Sequence, residues 1–191
     1  PDPKIREQCR ESLKEILAAA GELKSTGLIF VPAFNRQESL PHKESRAILI
    51  EQLKELGDFA DGPGTRLLIE PLNRKDCDFC RQVADAAAIA RDVEGPGVSV
   101  MGDFWHMTWE ETSDRGAFIS GGDNLHHVHI ASRKNRKMPG EDEGDNYVDG
   151  FRGLKDINYQ DYVSLECGSV GDRLVTIPAA ADLIRKQWAE A

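Results

Sequence analysis

Four residues with acid or imidazole side chains stand where short apolar runs end. Glu70 follows the run 67–69, Asp103 follows 98–102, His129 closes the run that begins at 125, and Glu166 follows 162–165. They are 33, 26 and 37 residues apart, and each interval is the length of one strand–helix unit. Three carboxylates and one imidazole form a hard-to-borderline donor set suited to one divalent ion: Mn²⁺, Co²⁺, Mg²⁺ or Zn²⁺. Without a cation, three carboxylates meeting in a low-dielectric mouth would repel one another. Taken singly, each residue has a plainer reading, as a helix cap, a loop charge or a hydrogen-bonded core histidine. The shared level at four successive strand ends is what points to a metal.

The elements that must position these groups follow a regular rhythm. Asp2 is placed to cap a helix with Pro3 at its first position, and Ile5, Cys9, Leu13, Ile16, Leu17, Ala20 and Leu23 fall on one face. A buried strand over 28–31 leads to a loop over 33–43. A helix over 44–60 follows, with Ala47, Ile50, Leu53, Leu56 and Phe59 turned inward. The remaining strands are expected over 67–69, 98–101, 125–130 and 162–165. Helices are expected over 78–92, 111–119, 148–156 and 178–190, which makes Cys77 and Cys80 ordinary helix cysteines. The strands are apolar throughout, as parallel strands covered on both faces are. The class is therefore α/β, a single domain over 1–191, built as an open sheet or as part of a (β/α)₈ TIM barrel. No glycine-rich phosphate cradle follows a strand. A closed barrel needs eight units and about 250 residues. Five units in 191 residues predict the C-terminal five, with three N-terminal units missing from this chain and both sheet edges open. Another chain, such as a second copy, would then be needed to cover them.

The words around the four residues resemble those of the xylose-isomerase-like TIM barrels. Ile69-Glu70-Pro71-Leu72-Asn73-Arg74, Gly102-Asp103-Phe104-Trp105-His106-Met107, His127-Val128-His129-Ile130 with Asn135-Arg136, and Tyr162-Val163-Ser164-Leu165-Glu166-Cys167-Gly168 occur in the family's order. They look most like the sugar phosphate isomerases and epimerases, the ketose 3-epimerases among them. The resemblance implies that Glu70, Asp103, His129 and Glu166 hold one divalent metal on strands five to eight of the barrel. It also implies that Glu70 and Glu166 are the catalytic acid–base pair, with His106, Arg136 and Asp76 on the substrate side. Trp105, next to the site, reads either as an apolar wall for a sugar face or as ordinary core. In two places the chain departs from the family pattern. Arg136 lies seven residues after the metal histidine instead of six, which leaves Arg133 as a competitor. Asp76 stands where the family carries a glutamate that touches the sugar.

The chemistry that fits is proton transfer beside a carbonyl through an enediolate, in a sugar isomerase or epimerase. The same apparatus can expel a β-hydroxyl, which makes a dehydratase of a keto-polyol the alternative. An endonuclease IV-like zinc phosphodiesterase would need further histidines, and there is none beyond His129. Lys and Arg number 24 against 33 Asp and Glu, a net charge of −9 that disfavours nucleic acid. No apolar run approaches the roughly 20 residues of a membrane span, and no secretory pattern opens the sequence. The expected setting is the cytoplasm and the expected partner a small sugar or keto-polyol. The basic run Arg133, Lys134, Arg136 and Lys137, followed by Glu141, Asp142, Glu143 and Asp145, reads as a surface loop of mixed charge or an anion-binding lid.

Overall fold

A computed structural model describes residues 2–34 and 40–191, so part of the loop expected over 33–43 lies outside the described residues. The elements are α1 (Pro3–Glu22), β1 (Leu28–Phe30), α2 (His42–Asp61), β2 (Leu67–Ile69), α3 (Val83–Val93), β3 (Val98–Asp103), α4 (Phe104–Glu110), α5 (Asp114–Gly121), β4 (Leu125–Ile130), α6 (Val148–Asp156), β5 (Val163–Leu165) and α7 (Arg173–Glu190). All five strands are parallel and lie side by side in chain order, with β1 and β5 at the edges. The result is a five-stranded portion of a TIM-barrel-like sheet.

Alternation along each strand divides the side chains between two faces. Leu67, Ile69, Val98, Val100, Val128 and Ile130 point into one core with Leu53 and Leu56 of α2, Val83, Ala86 and Ala90 of α3, Phe118 of α5 and Phe151 of α6. The other face carries Leu68, Ser99, Met101, His127 and His129. Phe104 anchors the far side of the core, with edge-on contacts to Phe118, Tyr147 and Phe151.

Several local expectations are corrected. On α1 only Leu17 and Ala20 are buried, while Cys9, Ile5, Ile16 and Leu23 are exposed. On α2, Leu49 is buried, whereas Ala47 and Phe59 are exposed. Both helices touch the sheet along a narrower stripe than their apolar residues span. α3 starts at Val83, because residues 76 to 80 are held in a turn. Asp76 and Cys77 donate their N–H groups to the Asn73 carbonyl, and Phe79 and Cys80 donate to Cys77 Sγ. Cys77 and Cys80 are therefore buried loop cysteines, both free, and burial pushes the Cys80 thiol well up. The helix expected over 111–119 is α5, and a second helix, α4, precedes it. Asp103 caps an unforeseen α4, Ser113 caps α5, and Glu111 between them accepts from Val83 N–H at the start of α3. α7 begins five residues before Pro178, because Asp172 accepts from Leu174 N–H and caps it there.

Two glycines separate backbone packing from propensity. A Cβ at Gly97, entering β3, would overlap the carbonyl oxygen of Gly57 in α2 and force a backbone to move. At Gly116, inside α5, it would meet only Ser113 at 3.6 Å or more. Gly97→Ala should therefore destabilise by on the order of 3 kcal/mol. Gly116→Ala should stabilise by about 0.5–1 kcal/mol. Urea denaturation of the two variants reads both signs.

Candidate metal centre

Strand register brings the four groups together. Asp103 pairs directly with His129 across β3 and β4, but only because the register slips between Val100 and Met101. Val100 faces Leu125 and Met101 faces His127, so His126 is the extra residue. Without that bulge Asp103 would lie opposite Val128, and His129 would turn to the helix-covered face. Glu70 and Glu166 follow directly on β2 and β5. Their backbones are still held by the neighbouring strands, through Glu70 N–H to Phe30 O at 3.0 Å and Glu166 N–H to Ile130 O at 3.2 Å. One ligating atom from each of Glu70, Asp103, His129 and Glu166 lies within 4.8 Å of all the others.

Metal–ligand bonds of about 2.0–2.3 Å put donors on opposite sides of an ion about 4.5 Å apart, close to this spread. The donor chemistry fits as well. Glu70, Asp103 and His129 are buried, and Glu70 Oε1 and His129 Nδ1 are buried polar atoms with no hydrogen-bond partner among the described residues. His129 Nδ1 stands 2.9 Å from Glu166 Oε2 and 3.8 Å from Glu70 Oε1, but neither approach is aligned as a hydrogen bond. Buried orphans cost free energy unless something on the open side binds them.

Charge shapes the titration of the cluster. Burial pushes the Asp103 carboxyl up to about 6, against the opposing pull of Trp105 N–H and Arg136. Glu166, half-exposed, is held below the usual carboxylate range by the His129 imidazole beside it and by Arg136. Burial lowers His129, but the Glu166 and Glu70 carboxylates outweigh it and hold the imidazole above its ordinary value.

The substrate-side residues predicted from the sequence gather at the same mouth. Arg136, in a left-handed backbone conformation at φ 52°, places its guanidinium 4.6 Å over the Trp105 ring, 3.2 Å from Asp103 Oδ2 and against Glu166. Arg133 is engaged elsewhere. It pairs with Asp114, donates to Thr108 Oγ1 and Asn146 O, and lies against the Phe104 and Tyr147 rings. His106 is buried against Trp105, with Nε2 3.7 Å from Asp103 Oδ2, and burial lowers its pKa. Asp76 accepts from Asn73 Nδ2 at 2.9 Å. Asn73, buried and in contact with His106, lies within the sequence word that suggests the family, but nothing in its type alone marks it as part of the site. Two other histidines stay outside the cluster: His127 packs edge-on against His129, and His126 pairs with Asp161.

The loop of mixed charge is knitted to itself. Asp142 takes Ser132 and Asn135, and Asp145 takes the N–H groups of Arg133 and Gly140. It is also tied to the exit of β5. Arg136 O accepts from Gly168 N–H, and Glu141 accepts from Val170 N–H, Gly171 N–H and Ser169 Oγ. These ties set Arg136 beside Glu166. The backbone N–H groups of Gly171 and its neighbours lower the Glu141 pKa. The tie should therefore be complete above the ordinary carboxylate range, near 4.5, and lost as pH falls through the lower folded value. Hydrogen exchange of the Val170 and Gly171 amides should accelerate on that acidification, and at neutral pH in Glu141→Ala.

Comparison with known proteins gives a consistent picture. The chain is 31% identical over 164 residues to 3-dehydro-D-guloside 4-epimerase of Escherichia coli, covering 82% of this chain and 62% of that one. It is 35% identical over 117 residues to D-psicose 3-epimerase of Agrobacterium fabrum, covering 61% and 40%. It thus spans less than two thirds of the length of either relative. In fold it superposes on the D-psicose 3-epimerase of Clostridium cellulolyticum H10 crystallised with D-tagatose, with a TM-score of 0.87 and 23% identity, covering 98% of this chain and 73% of that one. The profile of the xylose isomerase-like TIM barrels matches residues 1–187, and the protein belongs to that family.

Proposed function

We propose that the protein is a divalent-metal-dependent sugar epimerase or isomerase that moves a proton at a carbon next to a carbonyl. The observation that carries this reading is the convergence of Glu70, Asp103, His129 and Glu166 within 4.8 Å at the ends of four adjacent strands. The two relatives point the same way, since both are named as epimerases of keto-sugars. An ion held by these four residues would supply Lewis-acid stabilisation of negative charge on the substrate's oxygens.

In this reading Glu70 and Glu166 carry the proton. One takes it from carbon, and the C–H electron pair moves into the adjacent carbonyl to give the enediolate. The other returns a proton, to the opposite face for epimerisation or to the neighbouring carbon for isomerisation. His106 and Arg136 offer N–H donors to the substrate's oxygens, Trp105 gives the apolar wall, and Asp76 stands behind His106 through Asn73. The five strand–helix units are read as the C-terminal part of an eight-unit barrel. The outer edges of β1 and β5, unpaired among the described residues, and the exposed Leu23 just after α1 and Leu174 and Val175 on α7 support this. Three N-terminal units, or a second copy of the chain, would cover them. No helix among the described residues is long and apolar enough to cross a membrane, and a cytoplasmic setting with small-sugar substrates completes the proposal.

The test is turnover of ketoses, keto-glycosides and inosose-type keto-polyols in D₂O. An epimer carrying deuterium at the inverted carbon is expected. Glu70→Gln and Glu166→Gln should each lower kcat by about 10²–10⁴ with metal retained. A kcat within tenfold of wild type in both variants would exclude the acid–base role, and a dehydrated product would replace epimerisation with elimination.

A further inference from the structure

Every polar atom of the Asn73 side chain has a fixed assignment. Oδ1 accepts from Lys75 N–H at 2.8 Å, so the amide cannot be flipped without losing that bond. Nδ2 therefore faces Asp76 Oδ2 at 2.9 Å and His106 Nδ1 at 2.9 Å. The backbone N–H of Asn73 also donates to His106 Nδ1, at 3.0 Å. Two N–H donors thus converge on one ring nitrogen, and a backbone N–H can never accept. Nδ1 must present its lone pair, because a proton there would meet two others. The ring proton then belongs on Nε2, the nitrogen on the Asp103 side of the ring.

We propose that Asp76 and Asn73 are positioning residues that lock His106 as the neutral tautomer with its proton on Nε2, so that it offers the substrate an N–H donor. Asp76 orients the Asn73 amide, and Asn73 sets the imidazole. The shorter acid at position 76 acts on the reaction through this chain and not by gripping the sugar. The proposal rests on the epimerase reading only in giving His106 a substrate oxygen to meet.

The tautomer is read directly from long-range ¹⁵N–¹H correlation spectra of the full chain labelled in histidine, with Mg²⁺ present and His106 assigned by loss of its signals in His106→Gln. Wild type should show the Nε2–H pattern. Asn73→Asp removes one donor to Nδ1 and puts a carboxylate beside it. The Nε2–H population should fall, and kcat/KM should drop by about 10- to 100-fold, as when a substrate-positioning donor is misplaced. Asp76→Asn, which keeps an acceptor oxygen, should retain the wild-type spectrum, whereas Asp76→Ala should not. A wild-type Nδ1–H pattern overturns the proposal without any variant. So does an Asn73→Asp protein with an unchanged tautomer, or an Asp76→Ala protein whose KM rises while the His106 spectrum stays as it was. The spectra need no turnover, so absence of epimerase activity would sink the function and leave the relay standing.

Discussion

Three carboxylates meeting at the mouth of a parallel sheet are the constraint on which the rest of this molecule turns. Glu70 and Asp103 are buried and Glu166 half-exposed, so water screens their repulsion only in part. The protein answers with positive charge and with N–H donors. His129 sits among the carboxylates, Arg136 bridges Asp103 and Glu166, and the cap of α4 gives Asp103 a backbone N–H. Even so, Glu70 Oε1 and His129 Nδ1 have no hydrogen-bond partner among the described residues, and the four groups together could hold a metal ion.

Holding such a cluster requires a stiff frame. Glu70, Asp103 and His129 leave strands whose outward residues lie in the helix-covered core, so that shifting one of them would shift the core. The bulge at Val100/Met101 gives up one regular backbone pairing to turn His129 toward Asp103. The loop after β4 then spends its own charges on internal ties and on the β5 exit, which leaves Arg136 committed to the mouth. Beneath these, Asn73 joins the end of the β2 unit to His106 on α4, so two neighbouring units share one polar network.

The strand ends and the four groups that meet there were legible in the sequence, because an apolar run followed by an acid is a local pattern and the family words occur in order. Other features depended on information no window contains. The bulge involves pairing between β3 and β4, and nothing in Leu125-His126-His127 marks the extra residue. α4 was missed because Phe104, Trp105, His106 and Thr108 are weak helix formers, and what starts the helix is the Asp103 cap, already read as a metal ligand. Pro178 looks like a first-turn proline and hides the true start of α7, which the Asp172 cap sets five residues earlier. The different surroundings of Arg136 and Arg133 depend on tertiary partners: Asp114 and two aromatic rings hold Arg133.

The most direct measurement is anomalous diffraction at the manganese edge from crystals grown with Mn²⁺. The account predicts a single strong peak within about 2.0–2.4 Å of oxygen atoms of Glu70, Asp103 and Glu166 and of one nitrogen of His129. No peak at this site under saturating Mn²⁺, or a peak elsewhere with Arg136 still bridging Asp103 and Glu166, would contradict it.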